Sequence, residues 1–200
     1  MIGAYLGTDR AAIAIDGEAS EASLESFAGM GAACHVVVPI SFDVTAVADS
    51  LSRLRQLGFD VQAFHDVAAF GTAALALSGT ALFIELEEEV AATARIVVVD
   101  GVARRQTLLR RIRMGRRALR RAWIELITES MVLAHRFDPL HDRDSETRLA
   151  GLLWNAARHA SEEGSVVVTL PSPRGDCSIT LTRDQFAVRA APIYRELSGM

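Results

Sequence analysis

Two hundred residues with a formal net charge of −4 suffice for one large or two small cores and argue against bulk affinity for nucleic acid. Half the residues are hydrophobic and 23% are charged, an ordinary globular balance. All 21 basic residues are arginine, which excludes a Schiff-base or P-loop lysine; Cys34 and Cys177 lack CxxC or metal-ligand spacing and predict two buried thiols in a reducing cytosol.

The first residues carry neither a charged n-region nor an apolar h-region, so a cytoplasmic protein is expected. Met1 to Asp9 alternates and ends at Gly7-Thr8. Ala11 to Asp16 follows as a second strand, and Asp16-Gly17 ends the hairpin. Glu18 to Met30 is acidic and alanine-rich and predicts a helix. Val36, Val37 and Val38 are consecutive β-branched residues, as in a strand buried on both faces of a parallel sheet. Pro39 removes a ladder donor and ends that strand. Asp43 is an N-cap, and Val44, Val47, Leu51, Leu54 and Leu57 form one apolar helical stripe closed by Gly58. Val61, Ala63 and Phe64 give a short strand, and Asp66 caps the next helix. Strands alternating with helices predict crossover connections and a parallel core. Val67 to Ile84 is uncharged over eighteen positions, long enough to raise a membrane span. Its Ala, Thr, Ser and Gly content favours a buried helix, a turn and a strand.

Glu85, Glu87, Glu88 and Glu89 read as a solvated, charged hairpin; the alternative is a hard-cation site at Glu85, Glu87 and Glu89. A second hairpin, Ala92 to Val99 and Val102 to Ile112, turns on Asp100-Gly101. Nine arginines and no acid lie between Arg104 and Arg121. Arg113, Arg116, Arg117, Arg120 and Arg121 form a candidate interaction patch at the start of a helix whose opposite stripe, Leu119, Ala122, Trp123, Leu126 and Ile127, packs inward. Such a patch binds an acidic protein or RNA, or it is solvated and pairs with the Glu85–Glu89 cluster or with Glu125 and Glu129. Few aromatics interleave with it, so stacking platforms for RNA are lacking. Phe137-Asp138-Pro139-Leu140 breaks that helix. Asp142, Asp144 and Glu146 suit the N-terminal dipole of the next one, with Leu149, Leu152, Leu153, Ala156 and Ala157 as its stripe. His135, His141 and His159 share no motif spacing and read as surface or capping residues. Val166 to Leu170 and Ser178 to Leu181 form a last hairpin, and Thr182 with Gln185 a capping box. GxSxG, HExxH, Walker A and GxGxxG are all missing, so no catalytic residues are assigned.

Four stretches in order carry a resemblance. IGAYLGTD resembles a GIDLGTT phosphate loop, VVVPISFD a strand ending in VPAYF, and DVAAFGTAALAL an EPTAAALAYG helix. ITLTRDQFAVRAAPIYREL resembles SITRARFEEL. Together they resemble the ATPase domain of DnaK-type heat-shock chaperones. The resemblance implies an α/β, actin-like (RNase H-like) ATPase fold with two lobes. The first, residues 1–78, is a βββαβα-type unit. The second, 79–200, holds hairpins, an arginine-rich helix pair (115–160), a hairpin (165–182) and a C-terminal helix (183–198).

It also implies where phosphates would sit: Gly7, Thr8 and Asp9 in the first loop, and Glu87 in the second. Three departures weaken that site. Tyr5 and Asp9 replace an acid and a threonine of the first loop. The family's DLGGGT glycines align with Glu87, Glu88 and Glu89, and each carboxylate–phosphate contact at about 4 Å would cost roughly 4 kcal/mol at an effective dielectric near 20. The first-lobe insertion with its catalytic lysine and the C-terminal adenosine-binding βαβ unit with its GGSTR-like turn have no counterpart. The expectation is therefore a pseudo-ATPase without a cofactor, acting as a scaffold or regulatory protein-interaction module, with self-association as a subsidiary expectation and no membrane. The alternatives are a chaperone-like protein that binds ATP and magnesium through altered contacts, and an RNA-binding protein using Arg104 to Arg121.

Overall fold

The computed structural model describes residues 2–7, 11–15, 18–22, 24–29 and 33–200. The expected turn at Asp16-Gly17, and Thr8 and Asp9 of the first loop, lie outside the described residues. The chain is α/β and divides into two compact units, Met1–Gly115 and Arg116–Gly199.

The first unit opens with an antiparallel meander, β1 (Ile2–Leu6), β2 (Ala11–Ile15) and β3 (Glu18–Ala22). The helix expected over Glu18–Met30 is thus corrected to a strand followed by a short 3-10 turn, Leu24–Phe27. Glu18-Ala19-Ser20-Glu21-Ala22 offers a helix only two small alanines on one face, and pairing with the adjacent β2 decides its conformation. β4 (Ala33–Val38) then lies parallel to β1, and β5 (Asp60–Asp66) parallel to β4, giving the order β3-β2-β1-β4-β5.

Between them runs α1 (Val44–Gln56), capped by Asp43, which accepts from the Ala46 N–H at 2.9 Å. Leu54 is fully buried against Val36, Val38, Ile13 and Phe59. Val44, expected in that stripe, is instead 86% exposed. Gly58 has φ 86°, the left-handed conformation that closes a helix C-terminus. α2 (Val67–Ala74) is capped by Asp66 and packs on β4 and β5 as well as on the second sheet.

That second sheet is a meander, β6 (Gly79–Leu86), β7 (Val90–Val99) and β8 (Val102–Ile112). Asp100 (φ 51°) and Gly101 (φ 75°) form its two-residue turn, both in the region a primed hairpin turn requires. Val67 to Ile84 is a helix, a turn and the start of β6, and among the described residues no helix is long and apolar enough to cross a membrane.

The second unit packs α3 (Arg116–His135), α4 (Arg143–Glu163) and α5 (Arg183–Ser198) with a two-stranded hairpin, β9 (Ser165–Ser172) and β10 (Gly175–Thr182). Leu119, Trp123, Ile127 and Met131 form the buried stripe of α3, and Leu149, Leu153, Ala156 and Ala160 that of α4. Trp123 meets Trp154 and Phe186 edge-on, at 5.3 and 5.8 Å between centroids. Its indole N–H donates to the Phe186 carbonyl at 3.2 Å. Gly164 (φ 85°) closes α4, and Thr182 with Gln185 forms the capping box of α5. Both cysteines are free and buried.

Candidate functional site

In the first unit, the carboxyl ends of β1, β4 and β5 meet the end of β6. Period-two alternation puts Ala81, Phe83 and Glu85 on the inner face of β6 and Leu82 and Ile84 on the outer one. Glu85 therefore points inward and is only 8% exposed; Glu87 is 1% exposed. The expected solvated hairpin is corrected by these two values. A buried carboxyl needs partners, and both have them. Glu87 accepts from the Tyr5 hydroxyl at 2.9 Å, and Glu85 from the Ser41 N–H at 3.3 Å.

Glu85, Ala92 and Arg110 stand in one cross-strand row. Its two ends grip the same loop, Ile40–Phe42, from complementary sides. Glu85 receives N–H groups of Ser41 and Ile40, while Arg110 donates to the carbonyls of Phe42 (3.0 Å) and Ile40 (3.5 Å). Burial pushes the Glu85 carboxyl up to about 7. The nearby carboxylates Glu87 and Asp66 push the same way, and the loop N–H groups oppose them. Asp66 caps α2 and pairs with Arg105.

The turn at Glu87–Glu89 is closed on itself. The Glu87 N–H donates to the Val90 carbonyl at 2.9 Å, and the Arg113 N–H to that of Glu89 at 2.6 Å. Gly115 lies against the turn: a Cβ there would stand 2.2 Å from the Glu87 carbonyl oxygen and 2.6 Å from that of Glu88. A phosphate loop needs open N–H groups around a concavity; here the Glu87 N–H is engaged and the turn's carbonyls are packed over. Among the described residues no group of three potential ligands could hold a metal ion.

Of the expected phosphate contacts, Gly7 directly follows β1 and is half-buried. Tyr5 places Glu87 beside the end of the same strand. The arginine patch is divided: Arg113 belongs to the first unit, and Arg116, Arg117, Arg120 and Arg121 lie on α3. Arg121 pairs with Glu125 at 3.0 Å, and Arg189 with Glu125 and Glu129. His135 meets the Ser178 carbonyl at 2.8 Å, and His141 the Asp138 carboxylate at 3.0 Å.

Two features were missed by sequence reasoning. His35 Nδ1 and His65 Nε2, on neighbouring strands, are 2.9 Å apart with ring planes 10° from parallel. One ring must donate and the other accept. Only tertiary pairing of β4 with β5 reveals it. The other is a concavity of about 380 Å3 in the second unit, lined by Trp154, Arg158, Ser161, Arg183, Phe186 and Tyr194. The chain matches no family model and no curated protein.

Proposed function

We propose that the chain is a non-catalytic relative of the DnaK-type chaperone ATPases, with a reduced actin-like fold, that acts as a scaffold or regulatory module through protein contacts. The order β3-β2-β1-β4-β5, built by a βββαβ succession with α2 following, supports the fold. The observation that carries the function is the filled second loop: Glu87 is buried on Tyr5, and Gly115 packs onto the turn's carbonyls. A triphosphate would have to displace a carboxyl and reopen a closed turn. Calorimetric titration with ATP and magnesium tests this reading. No saturable heat is expected up to millimolar nucleotide. Micromolar binding that disappears in Gly7→Ala or Thr8→Ala overturns it.

One observation favours a second reading, an ATP-binding protein with altered contacts. The concavity in the second unit offers aromatic rings, the Ser161 hydroxyl and two guanidinium groups, Arg158 and Arg183, a combination suited to a planar ring bearing negative charge. Under that reading the same titration gives saturable binding that weakens in Arg158→Ala.

A further inference from the structure

The second sheet of the first unit has two free edges, β6 and β8, among the described residues. They differ in charge. β8 carries Arg104, Arg105, Arg110 and Arg111, so two copies of that edge repel each other. From Gly79 to Ile84, β6 has no charged residue and no proline; its one acid, Glu85, turns inward onto the Ser41 N–H, so along those six residues the edge lacks the charges and proline that blunt edge strands. Its outer face adds exposed apolar surface: Leu82 is 69% and Ile84 56% exposed, far more than side chains of a covered sheet. In the other sheet the corresponding first strand, β1, has its outer edge taken by β4.

We propose that β6 pairs antiparallel with β6 of a second copy of this chain, joining two meanders into one continuous sheet. A twofold axis at Phe83 sets Leu82 of each copy beside Ile84 of the other, two apolar cross-strand pairs on the outer face. On the inner face Glu85 then lies opposite Ala81, so no like charges meet. The arginine strands fall at the two far edges, as distant from each other as the joined sheet allows. Self-complementarity selects a second copy over an unrelated strand: a charged partner would find no counter-charge between Gly79 and Ile84. The proposal does not depend on whether nucleotide binds.

Sedimentation velocity over a concentration series tests it, with the full chain, the double variant Leu82→Lys/Ile84→Lys and a control, Val188→Lys, at a residue 73% exposed on α5. One strand pair is a small interface, so the wild type is expected to pass from monomer to dimer in the micromolar range. The double variant is expected to stay monomeric throughout, and the control to follow the wild type. A wild type that is monomeric at every concentration overturns the proposal and leaves the edge to a different partner. So does a double variant that dimerises like the wild type, or growth beyond dimer, because this pairing closes on itself. Should the variant lose its circular dichroism, hydrogen exchange of the wild type decides. Slower exchange of residues 80–85 at high concentration supports the proposal, and exchange independent of concentration overturns it.

Discussion

The Tyr5 hydroxyl donates to Glu87 Oε1 at 2.9 Å, tying the first strand of one sheet to the turn after β6. Glu87 stands where the resemblance implies a phosphate contact, and here its carboxyl is buried and accepts from Tyr5. Tyr5→Phe removes the donor and leaves a buried carboxyl short of one bond. A loss of about 1–3 kcal/mol is expected, measured by urea unfolding. An unchanged midpoint would show that Glu87 does not need this partner.

Gly115 stands hard against neighbouring backbone: a Cβ there would lie 2.2 Å from the Glu87 carbonyl oxygen. Gly115→Ala forces the Glu87–Glu89 turn to move, since its contacts are carbonyl groups rather than flexible side chains. Overpacking of this kind costs about 1–3 kcal/mol and occasionally more. Gly151→Ala, at a helical site with open space, is expected to be neutral or stabilising. Thermal unfolding of the pair distinguishes them.

Glu85 gives a pH dependence with a definite sign. Its folded pKa, about 7, exceeds the ordinary value for an unfolded chain, so between roughly pH 4.5 and 7 the folded state binds more protons. Stability therefore falls as pH rises through that window, by at most about 3 kcal/mol for this group. Glu85→Gln keeps an acceptor for the Ser41 N–H and cannot ionise. It is expected to match the wild type near pH 5 and to exceed it near pH 8. Parallel denaturation curves at the two pH values read the difference, and equal gains at both would contradict the assignment.

Asp66 serves α2 through two N–H contacts, Ala68 at 2.9 Å and Ala69 at 3.2 Å, and pairs with Arg105. Partly exposed ion pairs contribute little, whereas an N-cap contributes about 1 kcal/mol. Asp66→Asn should be nearly silent and Asp66→Ala destabilising by about that amount. Equal losses in both would assign the stability to the ion pair instead.

Local signals made much of this fold readable. Asp43, Asp66 and Thr182 are caps as expected, and Asp100-Gly101 is the expected turn. Pro39 follows the last residue of β4. Glu18–Ala22 misled because its composition favours helix while its neighbour in the hairpin imposes pairing. The burial of Glu85 was written in the alternation of Ala81-Leu82-Phe83-Ile84-Glu85, but the run of acids obscured it. Ser41, Arg110 and the His35–His65 bond depend on contacts between residues 30 to 70 positions apart, which no local pattern encodes.

The central claim is that the Glu87–Glu89 turn is closed to phosphate. Hydrogen exchange of a peptide spanning residues 85–91, followed with and without millimolar ATP and magnesium, tests it at the backbone groups themselves. The account predicts identical exchange curves. Slower exchange of this segment in the presence of nucleotide would contradict it.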